Sequence, residues 1–249
     1  MPEPTTDAAR NREHWDASAD AYQERHRAFI GRGEPRWGMW QLPEDELRIL
    51  GDVDGLDVLE LGCGAAQWSI LLAGRGARMT ALDNSARQLE HAREALATAG
   101  LDFPLVHASA EAIPLPDESF DVVFCDHGAL TFADPYRAVP EAARLLRPGG
   151  LLAFSHSTPF SMVFWRGDDL TESLQADYFS MHDWDEGDHV EYNLAHGEWV
   201  RLLVASGFMI EALLEIQPPE NAESTYRTPP ETAWARRWPM EEIWRARKT

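Results

Sequence analysis

The chain has 249 residues, of which 44% are hydrophobic, and its formal net charge is −20 at pH 7. This length and composition suit one α/β domain with a sizeable core. The acidic balance argues against nucleic acids and membrane surfaces as partners, because binding to phosphates depends on lysine and arginine contacts. The two cysteines form neither a disulfide framework nor a metal-binding pair, and no apolar run suits a signal peptide or a membrane span. We therefore expect a cytoplasmic protein, either a monomer or a homodimer.

Helical and β-rich segments alternate along the first part of the chain. A helical stretch around residues 11–27 is followed by a Gly/Trp-rich linker at residues 31–43. Helical patterns at residues 85–99 and 136–146 then separate most of a series of short apolar runs. We expect the first of these helices to be capped by Ser85 and to stop at Gly100. These runs are DVLEL (57–61), ARMTAL (77–82), DFPLVH (102–107), DVVFC (121–125) and GLLAFSH (150–156). The alternation predicts βαβ units and a parallel sheet.

The remainder of the chain departs from this alternation. An acidic insertion at residues 158–194 precedes a helix at residues 198–205 and a strand, FMIEALLEI, at residues 208–216. A loop rich in Pro, Glu and Thr follows at residues 217–232, and EEIWRARKT at the end of the chain predicts a final edge strand. We divide the single expected domain into an N-terminal helical lid (1–50), a cofactor-binding core (51–156), a lid insertion (157–197) and a C-terminal helix with strands (198–249).

Two closely spaced glycines follow the first apolar run. Gly62 and Gly64 lie between a strand and a helix, where backbone N–H groups at the carboxyl edge of a parallel sheet bind nucleotides in open α/β folds. Asp83 lies about 20 residues downstream, at the end of the next strand, where such folds place a carboxylate on ribose hydroxyls. The dinucleotide fingerprint GxGxxG requires a small residue where this chain has Gln67, which disfavours an NAD site. An ordinary βα turn is the alternative.

Several motifs together resemble the class I S-adenosylmethionine-dependent methyltransferases. The motifs are ELGCGAA (60–66), Asp83, AEAIPLPDESFDVVF (110–124), LLRPGGLLAFS (145–155) and the N-terminal HWDASADAY (14–22). This chain has Ala66 where the first motif usually ends in glycine, and Ser109 where the family often has an acid. The resemblance implies a Rossmann-like, doubly wound, mostly parallel seven-stranded sheet with helices on both faces and a C-terminal antiparallel edge strand. It also implies an S-adenosylmethionine cofactor and a small-molecule acceptor.

The resemblance further implies which residues contact the cofactor. By this resemblance, Gly62 and Gly64 leave room for the methionine portion of the cofactor and Asp83 binds both ribose hydroxyls. The N-terminal helix closes over the cofactor. Glu111, beside the adenine, has an alternative interpretation as an acid interacting with a helix dipole. The implied cofactor-binding residues are Trp15, Tyr22, Glu60, Gly62, Cys63, Gly64, Asp83, Asn84, Ser109, Ala110, Glu111, Asp126 and His127.

Three histidines are candidates for a catalytic base, because imidazole titrates near neutral pH. His127 follows the fourth strand and His156 ends the fifth, so we expect both at the ligand edge of the sheet, and His196 precedes a helix. A structural role is the alternative for each. The segment MHDWDEGDH at residues 181–189 clusters histidines and acids, but its spacing does not match a calcium loop. We interpret it as a solvated acidic loop and expect no metal.

Two other functions remain open at this point. A degenerate member of the family would bind the cofactor without catalysis and act as a regulatory protein. An NAD(P)-dependent oxidoreductase is the second alternative, which Gln67 and the later motifs disfavour. We expect an enzyme that transfers a methyl group to an oxygen, nitrogen or carbon atom of a small molecule.

Overall fold

The computed structural model describes residues 5–30 and 33–249, and a seven-stranded sheet organises them. Residues 1–4, 31 and 32 of the predicted lid and linker lie outside this description. The strands, numbered in chain order, are β1 Arg36–Trp37, β2 Leu42–Pro43, β3 Asp57–Leu61, β4 Arg78–Asp83, β5 Leu105–His107, β6 Phe120–Asp126, β7 Leu146–Ser157, β8 Trp165–Arg166, β9 Asp169–Leu170, β10 Asp183–Asp185, β11 Val190–Tyr192, β12 Phe208–Ile216 and β13 Glu241–Lys248.

Helices connect most of the strands of the large sheet. The α-helices are α1 Thr6–Ile30, α2 Glu44–Leu47, α3 Gln67–Ala73, α4 Ala86–Ala99, α5 Ala129–Phe132, α6 Pro135–Leu145, α7 Pro159–Met162, α8 His196–Ala205 and α9 Pro229–Ala235, and Tyr178–Ser180 form a 3₁₀ turn. None of the helices within the described residues has the length and apolar composition needed to cross a membrane.

The strand order of the large sheet is β12–β13–β7–β6–β3–β4–β5. The five strands from β7 to β5 are parallel to one another, whereas β13 runs antiparallel to both of its neighbours, β7 and β12. The predicted Rossmann-like, mostly parallel seven-stranded sheet is confirmed. The C-terminal strand is antiparallel as predicted, but it is not the edge strand. It lies between β12 and β7, so its main chain has hydrogen-bonded neighbours on both sides.

The core fills both faces of the sheet because successive side chains of a strand point in opposite directions. Leu59 and Leu61 of β3 pack with residues of α6 and α8, such as Val139 and Trp199. Val58, which precedes Leu59 on the same strand, packs in a second cluster with residues of α3. Each such fully buried aliphatic side chain stabilises the fold by roughly 1.5–3 kcal/mol.

The helix termini follow from local sequence. The Ser85 side chain caps α4 by accepting a hydrogen bond from the Gln88 N–H, and the left-handed Gly100 ends this helix, as predicted. The loop predicted at residues 217–232 instead ends in α9, which begins with a capping box formed by Thr228 and Glu231. The capping box leaves a shorter loop, at residues 217–228, above the sheet.

Gly62 lies where two loops at the carboxyl edge of the sheet meet. Its φ is +72°, and a Cβ on this residue would lie 2.3 Å from the backbone nitrogen of Ala129. A Cβ on Gly128 would lie 2.7 Å from the Gly62 carbonyl oxygen. The two glycines therefore allow the loops after β3 and β6 to pack backbone against backbone.

We predict that Gly62→Ala destabilises the fold through this contact. Gly100→Ala is the matched control, because Gly100 also has a positive φ of +66° but nothing within 4 Å of an added Cβ. Both variants bear the cost of a left-handed alanine, about 1–2 kcal/mol. Gly62→Ala should lose about 1–3 kcal/mol more from overpacking, measured by urea unfolding. Equal losses of unfolding free energy in the two variants would show that the loops after β3 and β6 can move apart without a cost in stability.

Candidate active site

A cavity lies at the carboxyl ends of β3, β4 and β6, where an open α/β sheet binds ligands. The residues that follow each of these strands line it, and α1 and two loops complete its walls. The lining includes Gly62, Cys63 and Gly64 after β3; Asp83 and Asn84 at β4; Ser109 and Ala110 after β5; Asp126 and His127 at β6; Trp15, Tyr22 and Gln23 of α1; Gly38, Met39 and Gln41; and Tyr226 and Arg227.

Asp83 links the glycine turn to the start of α4. One carboxylate oxygen accepts a hydrogen bond of 2.8 Å from the Gly64 N–H, and the other accepts one of 2.8 Å from the Ser85 N–H. The side chain is buried, and burial raises its pKa to about 6. Because each carboxylate oxygen has a further acceptor site, both can still bind a hydroxyl donor from the cavity. Asp83 thus stabilises the glycine turn and is also a candidate cofactor-binding residue.

The backbone after β3 is left-handed at three positions. Gly64 has a φ of +53°, and the nearest atoms to an added Cβ, in Gln23 and Gln88, are 3.7 Å away. Ala66, which replaces the usual glycine of the motif, has a φ of +57° and precedes α3. An added Cβ at Gly64 would therefore make only ordinary van der Waals contacts with side chains, whereas one at Gly62 would clash with backbone atoms.

Glu60 holds the start of α3 from inside the sheet. Its carboxylate accepts hydrogen bonds from the Ser69 N–H, at 3.0 Å, and from the Ser69 hydroxyl. Burial raises the pKa of Glu60 to about 8. The neighbouring Cys63 thiol is buried as well, and burial raises its pKa. Burial thus favours the neutral forms of two groups at the cavity floor, the Glu60 carboxyl and the Cys63 thiol.

Helix α1 is attached across the open side of the sheet by buried amides. The Asn11 amide donates to the carbonyls of Phe132 (2.7 Å) and Val190 (2.8 Å), and its oxygen accepts from the Val190 N–H (2.7 Å). Gln23 bridges Gln67 and Gln88 beside the glycine turn through bonds of 3.0 and 2.9 Å. These contacts bring the cavity-facing side of α1 over the glycine turn.

Aromatic side chains form the wall below α1. Trp15 makes edge-to-face contacts with Tyr22 and Phe132, with ring centroids 5.3 and 5.0 Å apart. The Tyr22 and Tyr226 hydroxyls are 2.8 Å apart, and Tyr226 stacks on His26 at 4.2 Å. Burial raises the pKa of Tyr22 to about 12. The loop at residues 217–228 therefore closes the cavity opposite β3.

The ring of His127 contacts the buried carboxylate of Glu241. Its Nε2 lies 2.5 Å from Oε1 of Glu241, which is 1% exposed and also accepts a hydrogen bond from the Met39 N–H. Burial lowers the pKa of His127, but Glu241 and Asp126 together outweigh burial, so the pKa is raised. Gly38 admits this arrangement, because a Cβ there would lie 1.9 Å from Oε1 of Glu241.

Asp126 joins four elements at the same edge. Its carboxylate accepts hydrogen bonds from the Gly38 N–H (3.0 Å), the Ser155 hydroxyl (2.5 Å) and the Trp68 indole N–H (3.1 Å). Burial raises its pKa. Asp126 therefore positions the residues 38–41 loop over the end of β6.

Comparison with known proteins agrees with this geometry. Residues 59–154 match the family model described as a methyltransferase domain. A demethylmenaquinone methyltransferase of Listeria monocytogenes serotype 4a is 32% identical over 127 residues, which are 49% of this chain and 54% of the relative. The chain thus spans about half the length of this curated relative.

Solved structures share the fold over more of the chain. An S-adenosylmethionine-dependent methyltransferase from Mesorhizobium loti is 26% identical, with a TM-score of 0.68 over 82% of this chain and 96% of the other. The matched segment and the shared fold make this chain similar to the class I S-adenosylmethionine-dependent methyltransferases. The cyclase SpnF, at 20% identity, has a TM-score of 0.69 over 100% of this chain and 98% of its own. The methyltransferase fold therefore does not by itself fix the reaction.

Two of the three candidate catalytic histidines do not face the cavity. His156 is buried between Phe154 and Trp199, with ring centroids 5.6 and 5.0 Å away, and its Nδ1 contacts the Ser157 carbonyl. His196 pairs through Nε2 with Glu242 at 2.6 Å. His156 lies near the carboxyl end of β7, as expected, but its side chain is outside the cavity lining, because it shares a face of β7 with Phe154. Of the three candidates, only His127 lines the cavity.

Glu111 also lies outside the cavity lining. Its carboxylate accepts hydrogen bonds from the Thr5 hydroxyl (3.1 Å) and the Asp134 N–H (3.1 Å), and it faces Arg137 at 3.5 Å. The implied contact of Glu111 with adenine is therefore not supported. Glu111 instead connects the start of α1 to the start of α6. Ser109 and Ala110 do line the cavity, and the Ser109 hydroxyl accepts from the Glu111 N–H at 3.2 Å.

Asn84 faces α1 with its polar atoms. Its oxygen accepts from the Arg12 guanidinium at 3.0–3.1 Å, and its amide donates to the Ala8 carbonyl at 2.7 Å. The residue still lines the cavity. It therefore attaches the lid helix next to Asp83.

Sequence motifs missed several residues of the site. Glu241 and Gly38 carry no motif signal, because strand pairing in the folded chain brings β13 beside His127. Tyr226 and Arg227 lie in a segment whose composition predicted only a loop. Gln23 falls within the predicted N-terminal helix, four residues after a buried alanine, and helical spacing could have placed it on the inner face.

We predict that Glu60 makes the stability of the fold depend on pH. The unfolded chain has an ordinary glutamate pKa of 4.5, whereas the folded value is about 8, so the folded state holds the proton more tightly. This contribution is fully present below about pH 4.5 and is lost as the pH rises through about 8.

Glu60→Gln should therefore flatten the decline in unfolding free energy between about pH 5 and pH 8, by on the order of 1–3 kcal/mol. Urea unfolding at several pH values measures it. Glu94→Gln, at an exposed position of α4, is the control and should follow the wild type. A Glu60→Gln profile that parallels the wild type would contradict the assignment.

Proposed function

We propose that this chain is an S-adenosylmethionine-dependent enzyme that methylates an oxygen, nitrogen or carbon atom of a small, planar acceptor. The observation that carries the proposal is the shared cavity: a glycine turn with Asp83 on one side, and the His127–Glu241 pair on the other. The first part suits a nucleoside cofactor and the second suits proton removal from an acceptor. The relative named demethylmenaquinone methyltransferase supports a small-molecule acceptor.

The residues present fit the cofactor. Asp83 retains acceptor sites for two ribose hydroxyls, and Gly64, which lines the cavity without a side chain, would let an amino-acid portion approach the main chain. Ser109 and Ala110 would flank the base. When bound, the cofactor supplies an electrophilic methyl group. The chain's own contribution is to fix the two reactants in line and to exclude water.

The segments that cover the cavity contact different ligands in this proposal. We infer that α1 covers the cofactor through Trp15 and Tyr22, while Tyr226 and Phe132 contribute flat apolar surface for the acceptor. Aromatic walls with few polar groups favour planar ligands. Residues 157–197, the predicted lid insertion, contribute Ser157 and Glu191 to the lining.

His127 is our candidate for the general base. Glu241 accepts the Nε2 proton, which leaves the Nδ1 lone pair of the neutral ring free to take a proton from the acceptor. Glu241 also stabilises the imidazolium that forms, so it is a positioning residue with an electrostatic role. An acceptor with a weakly acidic O–H or N–H group suits this pair.

Transfer of label decides between catalysis and mere cofactor binding. The full chain is incubated with methyl-labelled S-adenosylmethionine and a panel of hydroxylated and amino-substituted planar compounds. Label in a small-molecule product supports the proposal. A chain that binds the cofactor but labels none of the panel or a metabolite extract would favour the regulatory alternative. Protection from thermal unfolding by NAD(P) instead of S-adenosylhomocysteine would favour the oxidoreductase.

Asp83→Asn should weaken binding of S-adenosylhomocysteine by about tenfold or more. The amide keeps only one acceptor oxygen, and a hydrogen bond to a charged group contributes about 1.5–3 kcal/mol. Calorimetry measures the affinity, and circular dichroism confirms the fold. Asp102→Asn, at an exposed position outside the cavity, is the matched control and should bind like the wild type. Unchanged affinity in Asp83→Asn would remove Asp83 from the cofactor site.

His127→Gln should lower kcat by about 10²–10⁴ while affinity for S-adenosylhomocysteine stays near wild type. Glu241→Gln keeps an acceptor for His127 but removes the charge, which lowers the pKa of His127. The base must be neutral to act, so the acidic limb of the kcat/KM profile should move to lower pH. His196→Gln serves as the comparison and should retain the wild-type profile. A limb that stays in place in Glu241→Gln would refute the pairing.

A further inference from the structure

Two histidines and an aspartate meet outside the cavity, at the junction of α1 and the β10–β11 hairpin. His14 comes from α1, whereas Asp188 and His189 lie in the hairpin turn. Nδ1 of His14 is 3.0 Å from one Asp188 oxygen, and Nδ1 of His189 is 2.7 Å from the other. One donor atom from each of the three residues lies within 4.8 Å of the others.

These distances are close to those of a metal centre. Around a tetrahedral zinc ion with bonds of about 2.0–2.2 Å, donor atoms lie about 3.3–3.5 Å apart. The imidazole rings of His14 and His189 lie next to each other in a tilted arrangement, with centroids 4.2 Å apart and planes at 33°. Small side-chain rotations would therefore let both rings and the carboxylate share one ion.

A second carboxylate supports one of the two rings. Nε2 of His189 faces Oε1 of Glu191 at 3.6 Å, on the side of the ring away from Asp188. Metal-binding histidines usually donate their other N–H to a carboxylate or carbonyl, which fixes the ring and increases its basicity. Arg10 adds rigidity by pairing with Asp185 and donating to the His189 carbonyl at 3.0 Å.

The local negative charge and the solvent exposure of Asp188 also favour binding of a cation. Residues 183–191 include five acids and no lysine or arginine. The Asp188 side chain is 71% exposed, whereas His14 and His189 are 20% and 17% exposed. An ion can therefore reach the carboxylate from solvent and remain held by rings that are largely covered.

We propose that His14, Asp188 and His189 form a binding site for Zn²⁺, with water completing the coordination. Two imidazoles and one carboxylate are ligands that zinc prefers. Such an ion joins α1 to the hairpin, and Trp15 and Glu191, next to or near the ligands in sequence, both line the cavity. The site thus links two parts of the cavity wall. It departs from the sequence-based expectation of a solvated acidic loop, because His14 is distant in sequence.

The test uses the full chain without an affinity tag, stripped with a chelator and titrated with Zn²⁺ against a chromophoric competitor at about pH 7.5. We expect one site per chain in the micromolar range or tighter. His14→Gln, His189→Gln and Asp188→Asn should each weaken it by about tenfold or more. His182→Gln is the matched control, since His182 lies in the same segment but pairs with Asp134 and Asp183.

Thermal unfolding supplies an independent readout. Zn²⁺ should raise the Tm of the wild type and of His182→Gln, and this rise should vanish in His14→Gln. Co²⁺ in place of Zn²⁺ should give visible absorption bands that His14→Gln abolishes. Absence of micromolar binding, or binding that the three ligand variants leave unchanged, would overturn the site. Asp188 is highly exposed, so Asp188→Asn remains informative if a histidine variant folds poorly.

Discussion

The hydrogen bonds between the buried Asp83 carboxylate and the Gly64 and Ser85 N–H groups are the interaction on which the site depends. They hold the turn after β3 against the start of α4, across two neighbouring strands. Burial makes the ionised carboxylate costly, as its raised pKa shows, and the two N–H donors offset part of that cost. A ligand that offers hydroxyl donors to the same oxygens would offset more. In the function we propose, this geometry prepares a nucleoside site before any ligand binds.

The rest of the cavity is assembled on this turn from distant parts of the chain. Gln23 of α1 reaches the turn from above through Gln67 and Gln88, and Tyr226 meets Tyr22 from the C-terminal loop. Glu241 reaches His127 because β13 inserts beside β7. Side chains that converge from so many elements need precise packing, and the paired Gly62 and Gly128 backbones supply it at the edge of the sheet.

The sequence predicted the parts of the structure that local pattern determines. The alternation of strands and helices, the capping of α4 by Ser85 and the glycine turn before Gln67 were all visible in contiguous residues. The failures concern orientation and long-range pairing. His156 shares a face with Phe154 because strand side chains alternate, which the motif alone did not reveal. The carboxylate of Glu111 bonds to Thr5 and Asp134, and no local pattern predicts contacts of that range.

The most direct test of this account is a crystal structure of the full chain with S-adenosylhomocysteine. The account predicts ribose hydroxyls on the Asp83 carboxylate, the amino-acid portion beside Gly64, and the sulfur atom directed toward the space next to His127. Thermal stabilisation by the same compound should accompany the complex. A ligand bound elsewhere, or a sulfur atom directed away from His127 with no cavity beyond it, would contradict the account.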